Sequence, residues 1–304
     1  MGTNSQPSFS YRKFQTRAKA FLYMAPPNRS FKLGDFTCRV LYDGSRSIGS
    51  MTKGSARRFM FGDAPKAQVE DALRPYGGID LDTQIPFNYL LAENGGHLTL
   101  LDVGCGDQAE NNKNQDEPTG LLINSLGEAG FSVDDVDTVV VSHGHWDHFG
   151  GAVTAGKTTF PNAEYIMSAR EAEYINTNAE GWAPEYLRVL DDRLKLLPDF
   201  AEVVHGVTVR TAPGHSPGIT VTELSSGNET LLYTSDIILH SVHVEHTDWV
   251  PSFETDKVAA ATGRARLVED AYRRRLLLFV PHIPGVLGRI KKEKTGYSWV
   301  GERR

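Results

Sequence analysis

Short apolar runs closed by glycine, proline or asparagine alternate along this chain with longer amphipathic stretches. Residues 31–45 (FKLGDFTCRVLYDGS) read as a strand ending in an Asp43-Gly44 turn. Residues 65–76 read as a short helix closed by a turn over 75–78. The runs 87–92 and 98–103 flank Asn94-Gly95-Gly96, the pattern of a β-hairpin with a glycine turn. A polar loop over 108–117 precedes a helix over 121–130 that stops at a glycine. Residues 136–142 (VDTVVVS) are too apolar for an edge and predict a strand covered on both faces. A glycine pair at 150–151 and a Pro161-Asn162 turn follow. After them come a strand (163–167), a helix (169–176) and a helical stretch at 191–196. Strands are expected at 208–212, 220–224 and 230–234, a helix at 256–274, and a last buried strand at 276–280. Strands and helices thus alternate in both halves, with hairpins mixed in, which favours a layered α/β domain.

One internal echo accompanies this pattern. HLTLLDVG (97–104) and ETLLYTSD (229–236) are both apolar strands ending near an aspartate. They predict two similar halves, each offering a carboxylate at a strand end.

Composition narrows the class. The chain has 304 residues, 40% hydrophobic and 23% charged, enough for a sizeable core. Its 32 Lys and Arg against 38 Asp and Glu give a net charge of −6, which argues against a nucleic-acid partner. No apolar run approaches the roughly 20 residues of a membrane span. Two cysteines, Cys38 and Cys105, build neither a disulfide framework nor a cysteine-rich zinc site, so a cytoplasmic setting is expected. Residues 1–34 hold Arg12, Lys13, Arg17, Lys19, Arg29 and Lys32 and no acidic residue. They read as an N-terminal arm packing on the body or on a second subunit in a homodimer, with 35–304 as the domain. An organellar transit peptide has a similar composition.

The candidate chemistry lies in the histidines. HGHWDH at 143–148 follows the strand VVVS directly and supplies four potential ligands in six residues. Neutral imidazole is the commonest protein ligand for zinc. His143 and His145 can reach one cation, and Asp147 and His148 a second. Further ligands are expected at His215 in APGHSPG, Asp236 closing LLYTSD, and His282 in VPHIPG, each after an apolar strand. Asp102 is a candidate partner for a ligand histidine, with Ser142 and Ser235 as weaker ones. Trp146, Phe149, His240 and His243 are candidate substrate contacts, the last two in a loop after Asp236 that also holds His246.

HxHxDH after an apolar strand, then PGHSPG, a strand-end aspartate and a histidine before Pro-Gly together resemble the metallo-β-lactamase-fold hydrolases. The similarity runs from about residue 35 to 300, and the stretch from Asp236 through HTDWVPSF to PHIPGVLGRI is similar to the branch of quorum-sensing lactonases and methyl parathion hydrolase. This resemblance implies a four-layer αββα sandwich with a dinuclear site between two sheets. It implies one metal on His143, His145 and His215, another on Asp147, His148 and His282, and Asp236 bridging them. Two zinc ions, or manganese, cobalt or iron, are implied. Asp236 and the lack of a cysteine ligand separate the chain from true β-lactamases, and His145 in place of glutamate separates it from flavodiiron and alkylsulfatase sites. One departure concerns the substrate. Quorum-sensing lactonases typically carry a tyrosine shortly after the bridging aspartate, where this chain reads Ile237-Ile238-Leu239-His240.

The activity implied is hydrolysis of a small apolar lactone or related ester. In that reading a bound pair of cations would supply hydroxide at neutral pH, by lowering the pKa of a water to roughly 7, for attack on the carbonyl. Asp147 and Asp236 are the candidate catalytic carboxylates. A phosphotriesterase or thioesterase is the alternative on the same ligands, a lactam hydrolase a more distant one.

Overall fold

The computed structural model describes residues 29–109, 118–178 and 181–302. Most of the N-terminal arm and of the 108–117 loop lie outside these residues. In chain order the first strands are β1 (Ser30–Leu33), β2 (Phe36–Ser47), β3 (Gln84–Asn94), β4 (His97–Leu101), β5 (Thr138–Val140), β6 (Val153–Thr154), β7 (Lys157–Thr158), β8 (Glu164–Ser168) and β9 (Leu194–Leu197). All but the small β6–β7 hairpin form one sheet, in the order β1-β2-β3-β4-β5-β8-β9. The second sheet runs in chain order through β10 (Phe200–Val204), β11 (Val207–Thr211), β12 (Thr220–Ser226), β13 (Glu229–Tyr233), β14 (Leu277–Phe279), β15 (Leu287–Lys292) and β16 (Tyr297–Gly301).

Three apolar layers hold these sheets in an αββα sandwich. Phe31, Leu90, Leu101, Val140 and Ile166 of the first sheet meet Val209, Leu224, Leu231, Tyr233, Leu277 and Phe279 of the second. On the far side of the first sheet, Leu98, Leu100, Val139 and Val141 pack against Leu73, Leu126, Ile175 and Leu187, which come from four helices. On the far side of the second, Val221, Leu232 and Leu278 pack against Leu267, Val268 and Ala271 of the helix Lys257–Arg274. Adjacent residues such as Leu100 and Leu101 face opposite apolar layers, which is why the central strands read as unbroken hydrophobic runs.

The echo between 97–104 and 229–236 has a structural counterpart. β4 and β13 are each fourth in a seven-stranded sheet, antiparallel to the preceding neighbour and parallel to the next. Each is followed within two residues by a non-glycine residue with positive φ, Asp102 at 61° after β4 and Ser235 at 46° after β13. The carboxylates differ in position: Asp102 occupies the kink itself, Asp236 the residue after it.

Several expected elements change. The strand at 31–45 is two strands, and Ser30–Leu33 belong to the sheet rather than to an arm ending at 34. Asp43-Gly44 is a bulge, not a turn: the register slips between Tyr42 and Gly44 and β2 runs on to Ser47. The buried Asp43 carboxylate drives this by accepting Cys105 N–H at 2.8 Å and Leu122 N–H at 2.7 Å. The segment 191–196 is one 3-10 turn followed by β9, parallel to β8. Strand 276–280 is not the last, because β15 and β16 extend the second sheet beyond it. The segment after Asp236 contains a helical turn, Val242–Glu245. No helix among the described residues is long and apolar enough to cross a membrane.

Candidate metal centre

The loops that follow β4, β5, β13 and β14, together with the β11–β12 loop, meet at one edge of the sandwich. Thr220 N–H bonds the Ser142 carbonyl at 3.0 Å, and Ser235 Oγ donates to Ser142 Oγ at 2.7 Å, locking the second sheet to the first there. The glycine pair sits underneath. A Cβ on Gly151 would stand 1.9 Å from the Val103 carbonyl oxygen, so only glycine lets this loop approach β4.

Two groups of ligand atoms converge at that edge. His143, His145, His215 and Asp236 form one, and Asp147, His148 and His282 the other, with the atoms of each within 4.8 Å of one another. Asp236 faces both groups. Its Oδ2 lies 3.3 Å from His215 Nε2 and 3.9 Å from His143 Nε2, while its Oδ1 lies 3.0 Å from both His148 Nε2 and His282 Nε2. Asp147 Oδ2 stands 3.7 Å from each of the last two nitrogens. Ligands at ~2.0–2.1 Å from one tetrahedral ion stand roughly 3.3 Å apart, so this spacing suits metal coordination.

Hydrogen bonds behind the rings decide what the inner nitrogens are. His148 Nδ1 donates to Asp102 Oδ2 at 2.8 Å, His282 Nδ1 to the Pro86 carbonyl at 3.0 Å, and His215 Nδ1 to Glu254 Oε2 at 3.1 Å. With Nδ1 protonated, each neutral ring turns the Nε2 lone pair inward. His148 Nε2 and His282 Nε2 then oppose two lone pairs at 3.1 Å, and His215 Nε2 faces His145 Nδ1 at 2.9 Å. A metal ion between the rings, or a proton on one ring of each pair, relieves these contacts. Two further buried atoms in the same space, His143 Nε2 and Asp236 Oδ1, have no hydrogen-bond partner. Lone pairs and orphaned acceptors turned on one space are what a metal pair would satisfy, so the donor set fits.

Electrostatics point the same way. Burial pushes His143 well below the usual histidine range and takes His145 to about 3, with neighbouring histidines adding to both. Burial also opposes charge on His148, but Asp236, Asp147 and Asp102 overcome it and raise that ring well above its ordinary value. Asp236 is held well below the carboxylate range because His148, His282 and His215 outweigh its desolvation. The carboxylates thus demand positive charge here, carried by protons or by metal ions.

Asp102 is fully buried and collects four donors: Ser142 N–H, Ser142 Oγ, His148 Nδ1 and Tyr233 OH, at 2.6–2.8 Å. Ser142 Oγ in turn lies 3.0 Å from His143 Nδ1. Three supporting residues escape the sequence reading. Tyr233 looked like one more apolar residue of β13. Glu254 sits in PSFETD with no local pattern to mark it. Glu171 lies on the helix Ala169–Asn178, buried, and accepts from Gly144 N–H, Ser216 Oγ and Gly218 N–H at 2.6–3.0 Å, tying the HGH loop to the PGHSPG loop. A Cβ on Gly218 would stand 2.1 Å from Glu171 N, so the close approach needs that glycine.

The candidate substrate contacts divide. Trp146 is partly exposed, its ring edge-on to Phe87 at 5.4 Å. His240 is partly exposed between Phe61 and Tyr76, and its Nδ1 accepts Val242 N–H at 3.1 Å. Two assignments are corrected. Phe149 is wholly buried against Trp182 and Tyr186 in the core outside the first sheet. His243 is wholly buried too, its Nε2 donating to the Met60 carbonyl at 3.0 Å and its Nδ1 accepting Leu239 N–H. Apolar packing in one case and two backbone partners in the other keep them from a substrate. His246 stacks on Trp249 at 3.7 Å.

Residues 83–274 match the family described as the metallo-beta-lactamase superfamily. An N-acyl homoserine lactonase of Bacillus cereus is 27% identical over 241 residues, covering 71% of this chain and 87% of that protein. The N-acyl homoserine lactonase AttM of Rhizobium radiobacter is 26% identical over 245 residues, covering 73% and 90%. Among solved structures, the dizinc quorum-quenching lactonase AidC, bound to N-hexanoyl homoserine product, superposes with a TM-score of 0.80 at 27% identity, over 93% of this chain and 99% of that one. The hydrolase AbOPH, at 21% identity and a TM-score of 0.78 over 92% and 99%, shares the fold.

Proposed function

The chain belongs to the metallo-beta-lactamase superfamily, and from that premise we propose that it is a dinuclear metal-dependent hydrolase opening a small apolar lactone. The observation that carries this reading is the divided carboxylate of Asp236, one oxygen toward each histidine group. His143, His145 and His215 would hold one cation, Asp147, His148 and His282 the other, and Asp236 both. A bound pair, zinc in the first instance, would supply hydroxide at neutral pH and polarise the carbonyl oxygen.

The chain's own residues do the rest. Asp102, Glu254 and the Pro86 carbonyl fix the tautomers of His148, His215 and His282, so each ring meets its cation without reorganising. Asp147 and Asp236 are the carboxylates within reach of the reacting centre, and Asp147 can accept the proton released on attack and return it to the leaving alkoxide. Trp146, Phe253 and Phe59 supply an apolar rim, Phe253 standing edge-on to His215 at 5.7 Å and against Phe59 at 4.6 Å. An acyl chain suits such a rim. Similarity to the N-acyl homoserine lactonases supports a lactone as the substrate.

The test is a hydrolysis panel on zinc-loaded protein. It compares N-acyl homoserine lactones, aliphatic lactones, aryl esters, thioesters, a phosphotriester and a β-lactam. The reading predicts that a lactone with an acyl chain gives the highest kcat/KM and that chelation abolishes it. A phosphotriester turned over faster than every lactone would overturn the substrate assignment.

A further inference from the structure

Arg264 interrupts an apolar stripe. On the helix Lys257–Arg274 the buried positions are Ala260, Arg264, Leu267, Val268 and Ala271. Only 1% of the Arg264 side chain is exposed. A guanidinium is tolerated in such a place when its donors are met. Nε donates to the Ile237 carbonyl at 2.7 Å, Nη1 to the carbonyls of Thr247 and Trp249 at 3.2 and 3.0 Å, and Nη2 to Glu254 Oε1 at 3.3 Å. Glu254, equally buried, accepts with its other oxygen from His215 Nδ1 at 3.1 Å.

These partners belong to two functional segments. Ile237 directly follows Asp236, whereas Thr247, Trp249 and Glu254 span the loop that carries Phe253 against His215. One cation therefore holds the chain beside the divided carboxylate, the loop over the site, and the carboxylate that orients His215. The second histidine group is oriented from elsewhere, by Asp102 and the Pro86 carbonyl.

We propose that Arg264 and Glu254 are positioning residues that couple the His143/His145/His215 group to the 247–254 loop, so that the first cation and that wall of the pocket are secured together. This rests on the dinuclear reading above. It requires the two cation sites to respond differently when the pair is altered.

The experiment titrates zinc into the metal-free full chain against a competing chromophoric chelator, with amide hydrogen exchange read across 247–254 with and without zinc. In the wild type, two cations bind and exchange in the loop slows on loading. Glu254→Gln keeps the shape and an acceptor for His215 but loses the charge. It should weaken one cation by ~10–100-fold, leave the other unchanged and speed exchange in the loop. Arg264→Lys keeps the charge but lacks the fork that reaches three carbonyls, and it should do the same. A general structural defect would weaken both cations together, and that result refutes the proposal. If Arg264→Lys does not fold, Glu254→Gln decides alone. Both cations bound at wild-type affinity by folded Glu254→Gln, with wild-type exchange, overturns the coupling while leaving the dinuclear reading intact. A wild-type chain that binds no pair of cations refutes both.

Discussion

Asp102→Asn separates charge from shape at the most densely hydrogen-bonded residue of the site. Asp102 sits at φ 61°, a conformation that asparagine also tolerates, so the backbone carries no added strain. An amide has one acceptor oxygen where the carboxylate had two. Placed at the Oδ2 position, it keeps Ser142 Oγ, His148 Nδ1 and Tyr233 OH, but its NH2 then meets Ser142 N–H at the 2.6 Å contact. The opposite orientation sets NH2 against three donors and is worse. Losing one charge-assisted bond costs ~1.5–3 kcal/mol, and the surviving bonds weaken on becoming neutral. For a chain of this size that is a Tm decrease of roughly 2–5 °C. Affinity for the cation at Asp147, His148 and His282 should fall ~10–100-fold, because the charge behind His148 is lost and its Nδ1–H then donates to a neutral amide oxygen, a weaker partner that leaves the ring less basic. The assay is metal content per chain after dialysis against a weak chelator, with the hydrolysis rate measured on the same samples. Wild-type metal content and rate in a folded variant would refute the reasoning.

Asp236→Asn should release both cations and bring hydrolysis to background; retention of either cation at wild-type affinity counts against a bridging role. Gly151→Ala drives a Cβ to 1.9 Å from the Val103 carbonyl, a backbone clash at or above the ~1–3 kcal/mol usual for overpacking, so soluble yield and Tm should both fall, and an unchanged melt would be inconsistent with the close approach. Burial lifts Asp43 to about 6 against backbone hydrogen bonds that lower it. Its folded pKa therefore exceeds its unfolded one, the native state binds more protons, and its contribution to stability is full below pH ~4 and lost as pH rises through ~6. Between those values the wild type should lose on the order of 3 kcal/mol relative to Asp43→Asn under identical metal conditions, and parallel profiles would contradict this.

What the sequence revealed follows from the physics of each residue. The central strands announce themselves because both faces are covered, as in VVVS, and the hairpin because Gly95 and Gly96 carry its turn at positive φ. The candidate ligands are legible because four of them fall within six residues and the others close apolar strands. The strands at and next to the sheet edges are less visible: β9 has two exposed residues among four, and β15, one in from the edge, ends in two exposed lysines, so neither shows a clean alternation. The residues behind the ligands were hidden for another reason. Glu254 is 39 positions from His215 and Glu171 is 45 from Ser216, so only the folded chain joins them. Asp102 was the exception, marked by its place at a strand end matching that of Asp236. Arg264 carried a signal that went unread, a charge within the apolar stripe of a helix. Phe149 and His243 were misassigned because proximity in sequence to a ligand does not say which way a side chain turns.

The central claim is that one carboxylate and five histidines, with Asp147, hold two cations that act together. Its most direct test is a zinc titration of the metal-free chain that follows bound metal and lactone hydrolysis in the same samples. The account predicts two zinc ions per chain at saturation, with activity rising only as the second site fills and lost in Asp236→Asn. Full activity at one ion per chain, or a single tightly held iron with no hydrolysis, would contradict it.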